Sequence, residues 1–336
     1  MDEVTLSNEE ELMERFNKQV LKQKFTHAHF FNSYFFGNWG GHLGYKDLFK
    51  DTSFDVDKTQ LLCHFTSLQG LTTILRNGFV RMSEFSYLSD NNEMYVGTDI
   101  LKDIETVSNL IPKKIKQLKE CCFELSTMLS TEKNIIDPFM WYEYGKNGMG
   151  AVIEFELSPC SANQILLGKV LYGKDGYEFL DEIKELVEEF KKEHGIIPNS
   201  MVTCLIELLA FLKLEKYRPE NEIRLFVRRD KEPHESHNYP FIYQDITPNN
   251  EVKHFFKLLL DGRKDVLSIS SSNPTEVDEW YFAYPRIIIK RIILGNCLSP
   301  EQKVNAIAFF NAIKEKYKYN YSVHFVVADY TISPPS

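Results

Sequence analysis

No stretch of this sequence stays apolar long enough to cross a bilayer, and Asp2, Glu3 and the acids that follow carry the wrong sign for a secretory leader. Paired cysteines are missing too. The six present, Cys63, Cys121, Cys122, Cys160, Cys204 and Cys297, form no Cys-x-x-Cys pair and no zinc-like set, so they read as reduced core thiols. These absences point to a cytoplasmic protein. An excess of positive charge is lacking as well. The formal charge of −9 argues against a surface that coats a polyanion, although not against a local basic cleft. There is no internal repeat, no long low-complexity linker and no carboxylate cluster of the kind a metal-dependent nuclease needs. His27, His29 and His42 lie close in sequence, but no carboxylate or thiol follows at ligand spacing, so they read as packing or surface residues and no metal is expected.

What the chain has in quantity is aromatic surface. Its 25 Phe and 17 Tyr, within 43% hydrophobic and 26% charged residues, belong to a folded protein whose 336 residues can bury a large core. Residues 1–59 read as an N-terminal extension, first helical and then aromatic, and 60–336 as the main domain. Ser7 and Glu10 form a capping box ahead of a helix face made by Leu12, Phe16, Val20 and Leu21. Trp39-Gly40-Gly41-His42 reads as a loop.

The main domain opens on Leu61 to Ser67, a short strand that carries His64 into apolar surroundings. Ser67 then caps a helix with Leu68, Leu71, Ile74 and Leu75 at helical spacing, and Gly78 ends it in a left-handed conformation. A second strand begins at Phe79. Asp90 and Glu93 form a capping box before a further helix, which accounts for both without a functional role. Strands are expected at 121–128, 150–155, 166–172, 222–227, 286–294 and 321–327. Helices are expected at 138–144, 177–194 and 200–214, and after Ser299-Pro300. Strands and helices of unequal length without regular alternation indicate an α+β fold.

Two stretches carry chemistry. His64, with Thr66 and Ser67 beside it, suits a dinucleotide's ribose hydroxyls, and equally suits a core. Trp141 and Tyr144, three apart on one short helix, can stack on a planar ring or anchor the helix to a sheet. In Glu220-Asn221-Glu222-Ile223-Arg224 the two glutamates and the arginine project to one side at the start of a strand. There a carboxylate can stabilise developing positive charge while the arginine keeps it ionised. The alternative is that Glu222 and Arg224 are halves of structural ion pairs.

Taken in order, five segments resemble the bacterial domain-of-unknown-function family 2971, over roughly residues 60 to 318. They are His64-Phe65-Thr66-Ser67 with Ile74, Leu75 and Gly78; Ser89 to Glu93; Trp141 to Tyr144 with Gly148-Met149-Gly150; Glu220 to Arg224; and Ile292 to Gly295 with its helix. The histidine strand and the glutamate strand are also similar to the ADP-ribosyltransferase superfamily, which includes bacterial toxins. That resemblance implies a mixed sheet core with surrounding helices and NAD as substrate, with no metal. His64 matches the ribose-holding histidine, Glu222 the catalytic glutamate and Glu220 the auxiliary acid. Ser126-Thr127 is a less secure match to a hydroxyl-bearing middle strand. Thr66, Ser83, Ser126, Trp141, Tyr144 and Arg224 join His64 as candidate NAD contacts, and the tyrosine that stacks on nicotinamide is open among Tyr87, Tyr95, Tyr142 and Tyr144. Pairing a first-strand histidine with Glu-x-Glu combines two patterns of that superfamily. The implied activity is transfer of ADP-ribose to a protein or nucleic acid, or NAD glycohydrolysis, in a toxin or phage-defence effector with an antitoxin or regulator as partner. The alternative is a non-catalytic nucleotide-sensing or interaction module.

Overall fold

The computed structural model describes residues 11–35, 38–57, 60–88, 94–96, 98, 111–160, 165–197, 199–229, 240–246, 250–267 and 274–326. Residues 11–24 are helical (α1), with a π turn over Asn17–Leu21. Phe16, Val20 and Leu21 are buried as their spacing predicts. The Ser7–Glu10 capping box and the Asp90–Glu93 box lie outside the described residues.

The expected loop at Trp39–His42 is instead part of a hairpin, β1 (His29–Phe35) against β2 (Asn38–Gly44). Adjacent glycines read as a turn, yet Gly40 and Gly41 sit in register with Ser33 and Asn32. Strand glycines weaken a ladder without forbidding it, and the β-prone aromatic run around them outweighs that cost.

The opening unit of the main sheet forms as the sequence dictates: β3 (Leu62–Thr66), α2 (Leu68–Asn77) and β4 (Phe79–Glu84). Ser67 Oγ accepts the Gly70 N–H at 2.9 Å, and Gly78 ends the helix at φ +79°. Next come α3 (Ile111–Lys119), β5 (Cys122–Leu129), α4 (Glu132–Ile135), α5 (Pro138–Glu143), β6 (Ala151–Leu157), β7 (Ile165–Lys169) and β8 (Leu171–Tyr172). Then follow α6 (Lys174–His194), α7 (Asn199–Leu208), β9 (Leu212–Lys213), β10 (Ile223–Arg228), β11 (Ile242–Ile246) and β12 (Val252–Leu259). The chain continues through α8 (Pro274–Ala283), β13 (Ile287–Leu294), α9 (Pro300–Tyr317) and β14 (Ser322–Phe325). The helix expected to reach residue 214 stops at Leu208, and Lys213 belongs to β9.

Ten strands make one sheet in the order β11-β12-β4-β5-β3-β6-β13-β14, with β10 and then β7 on the other edge of β5. Its pairings are antiparallel except β13 with β14. Helices around a mostly antiparallel mixed sheet make the fold α+β.

One strand holds the key to the geometry. β10 runs along one edge of β5 from Arg228↔Cys122 to Ile223↔Thr127. The opposite edge is shared. There β4 pairs at Ser83↔Glu124 and Glu84↔Phe123, and β3 pairs at Leu62↔Leu129 and Cys63↔Met128. Between the two, residues 125–127 meet no strand on that edge among the described residues, and the sheet forks.

The buried apolar residues form three clusters. One cluster joins Phe16, Phe25, Phe49 and Phe54 to Phe179 of α6, Phe211 and Phe226 of β10, so these N-terminal aromatics share a core with the main sheet. Phe49 stacks on Phe54 at 4.6 Å and meets Phe211 edge-on at 4.8 Å. Among the described residues no helix is long and apolar enough to cross a membrane.

Candidate functional site

The fork is lined by side chains drawn from positions 63 to 222 of the chain. At its apex β3 leaves β5, and His64 is the first residue past the last ladder pair. The bond from Arg229 N–H to the Cys121 carbonyl, 2.9 Å, sets the phase of the β5–β10 ladder, so residues 125 and 127 turn their backbone groups toward β10 and Ser126 turns its own into the fork. The Ser126 carbonyl meets His64 Nδ1 at 3.0 Å, where a strand N–H would otherwise sit. A carbonyl only accepts, so Nδ1 carries the proton and Nε2 is left with a lone pair. Burial lowers the half-buried imidazole's pKa, and the bond to Ser126 opposes that only in part. His64 is therefore a neutral ring offering an acceptor.

Glu222 enters the same cavity from the residue before β10. Its side chain is 2% exposed. One oxygen accepts from Ser126 Oγ at 2.7 Å and Arg224 Nε at 2.8 Å; the other accepts from Lys213 Nζ at 2.7 Å and an Arg224 terminal nitrogen at 3.1 Å. Burial pushes the carboxyl's pKa up, but Arg224 and Lys213 together outweigh it and hold it down to about 2. Glu222 is an ionised carboxylate and no general acid. Glu124, on β5, takes a 2.9 Å contact from Ser126 Oγ and lies 3.6 Å from Arg224 Nε.

Glu220 sits at the end of a 3-10 turn, Glu215–Glu220, rather than in the strand entrance the sequence implies. The left-handed Asn221 (φ +43°) reverses the chain between the two glutamates and brings both to the cavity. Glu220 accepts from Lys213 Nζ at 2.8 Å and from the Tyr144 hydroxyl at 2.7 Å. Burial and the bond to Glu220 raise the Tyr144 pKa, so the phenol keeps its proton.

Cys63, Phe65, Met128 and Met140 complete a mostly apolar wall around a cavity of about 100 Å³. Burial pushes the Cys63 thiol's pKa up, which makes it a poor nucleophile.

Of the residues singled out from sequence, His64, Ser126, Thr127, Tyr144, Glu220 and Glu222 line this one cavity, Thr127 with its hydroxyl donating to the Ile223 carbonyl at 2.7 Å. Arg224 is fully buried behind Glu222, donates also to the Ala210 carbonyl and stacks over Phe85, so it supports the carboxylate rather than a ligand. Trp141 requires correction. It is fully buried, its Nε1 donates to the Ile135 carbonyl at 2.6 Å, and it meets Phe65 edge-on, so its ring anchors α5 and offers no face to the cleft. Thr66 turns its hydroxyl over the first turn of α2, where a Cβ on Gly70 would approach it to 2.3 Å. Ser83 lies in the β4 ladder opposite Glu124, outside the cavity lining. Of the tyrosines left open, only Tyr144 is in that lining.

Lys213 and Glu124 escaped the sequence analysis. Lys213 falls within the apolar helix expected at 200–214, and its one signal is a lone cation in Phe211-Leu212-Lys213-Leu214. Glu124 stood in a strand whose alternation accounted for it.

Among the described residues no group of three or more His, Cys, Asp or Glu side chains could hold a metal ion. Three carboxylates, Glu124, Glu220 and Glu222, against two cations, Lys213 and Arg224, leave the site one formal negative charge. The arrangement suits a ligand with a positive centre, an aromatic ring and hydroxyl groups. No protein-family model, curated protein or solved structure matches this chain.

Proposed function

We propose that the forked cleft binds NAD and transfers its ADP-ribose to a macromolecular acceptor, a protein or a nucleic acid, as the resemblance to the ADP-ribosyltransferase superfamily implies. The observation that carries this reading is the convergence of His64 and Glu222, 158 positions apart in the chain, on one cavity with Ser126 bonded to both. Ligand pockets commonly enclose about 300–1,000 Å³. The cavity's 100 Å³ admits a single ring, which leaves the rest of the dinucleotide along the open side of the fork.

The chemistry follows from charge. Nicotinamide in NAD is a cationic leaving group; when the bond from its nitrogen to ribose C1′ breaks, the electron pair stays with the ring and neutral nicotinamide departs. The sugar becomes oxocarbenium-like, and an ionised carboxylate stabilises it better than an acid does. Glu222 fills that role and accepts a bond from the ribose 2′-hydroxyl. His64 Nε2 accepts from a hydroxyl of the other ribose, and Tyr144 packs on the nicotinamide ring. The acceptor's nucleophile then bonds to C1′ and gives up its proton; when water is that acceptor the outcome is NAD glycohydrolysis. A toxin or phage-defence role, with an antitoxin or regulator as partner, is by analogy with the superfamily.

Labelled NAD incubated with the protein and cell lysate tests the reading. Release of nicotinamide that falls about a hundredfold or more in Glu222→Gln, with the fold retained by circular dichroism, supports it. A second reading, a nucleotide-sensing module without turnover, is favoured by the four hydrogen bonds that already engage both Glu222 oxygens. NAD binding that weakens in His64→Ala, without nicotinamide release from the wild type, selects that reading and rejects the first.

A further inference from the structure

We infer that Lys213 is a positioning residue of the cleft, whose ammonium ties the two glutamates of Glu220-Asn221-Glu222 into a fixed pair and through Glu220 holds Tyr144 at the mouth. The inference deepens the proposed reading and rests on it only in treating those carboxylates as the working groups.

The geometry is specific. Lys213 Nζ lies 2.8 Å from Glu220 Oε2 and 2.7 Å from Glu222 Oε2. All three side chains are at most 10% exposed. Two carboxylates brought this close repel, and without a cation one of them would protonate or swing away. Arg224 cannot take over the bridging, because its guanidinium is spent on Glu222, Glu124 and the Ala210 carbonyl. The remaining Glu220 oxygen accepts the Tyr144 hydroxyl, so the chain of contacts runs Glu222, Lys213, Glu220, Tyr144. One ammonium thus fixes both the acidic centre and the aromatic wall of the cavity. β9 exists as two residues, paired in parallel with β8, and this short ladder delivers Lys213 to the glutamates.

The test reads the carboxyl groups directly. In full-length protein labelled with ¹³C at the glutamate side-chain carboxyl, the Glu222 resonance is assigned by its loss in Glu222→Gln and followed against pH. Lys213→Met raises its midpoint by about one pH unit or more, and Lys213→Arg restores the low value. A folded Lys213→Met protein with the wild-type titration curve overturns the inference. If Lys213→Met does not fold, the double variant Lys213→Met/Glu220→Gln decides: removing one carboxylate together with the cation restores folding if Lys213 acts as the bridge, and failure to restore it overturns the inference. None of these readings depends on whether NAD is consumed, so a failure here is separable from failure of the proposed activity.

Discussion

At the scale of single residues, two buried glutamates pull stability in opposite directions with pH. Glu222 is held near 2 by Arg224 and Lys213 against burial, so its contribution is present above the ordinary carboxylate range and is lost as pH falls toward 2. Glu84 behaves oppositely. Burial lifts it to about 7; Glu120 adds to the rise, while the Ser86 hydroxyl and Arg229 oppose it. A carboxyl raised in the folded state favours folding below its ordinary value, and that stability disappears as pH rises through 7. Urea unfolding should therefore weaken between pH 5 and pH 8 by on the order of 3 kcal/mol, and Glu84→Gln should flatten the profile over that window. His64, Ser126, Tyr144 and Glu222 were legible because each stood out chemically beside or within a readable element. Glu220 was legible by its spacing from Glu222, although a 3-10 turn replaces the expected strand entrance. Lys213 was not, since its meaning lies in contacts to residues seven and nine positions away, across a turn no local pattern announces. For Trp141 the sequence left stacking and anchoring both open, because helical spacing places two aromatics on one face but does not say which of them sinks into the core.

At the scale of elements, the segment after α5 illustrates how glycine fixes a site. Gly148 N–H donates to the Trp141 carbonyl, Gly150 N–H to Gly145, Gly295 N–H to Gly150 and Cys297 N–H to Gly148. The turn that leaves Tyr144 is thereby strapped to the end of β13. A Cβ at Gly295 would stand 1.9 Å from the Gly148 carbonyl oxygen, so nothing larger fits. Gly295→Ala should cost about 1–3 kcal/mol in urea unfolding and disturb Tyr144, visible as a change in its ring resonances. The sequence announced this turn through Gly148 and Gly150, as it announced α2 and α9 through their caps. It could not announce β1 and β2, where two glycines outweighed the surrounding aromatics in a local reading, nor β12, whose partner β4 lies far away in the chain.

At the scale of the whole molecule, the N-terminal segment is part of the core. Phe16, Val20, Phe25, Phe49 and Phe54 are buried among residues of α6, α7 and β10. A chain starting at residue 60 would expose the other half of that cluster, and expressed alone it should be insoluble or bind a hydrophobic dye strongly, whereas the full chain should not. The fold class was accessible from the irregular mixture of strands and helices; the fork was not, because it depends on β3 and β4 sharing one edge of β5. That shared edge carries a consequence for measurement. The Ser126 amide proton points into a gap between strands, so in heavy water it should exchange far sooner than those of Leu125 and Thr127 beside it. A single peptide proton thus becomes a natural occupancy gauge: any molecule that lodges between the two half-sheets should slow its loss, even one that never reacts.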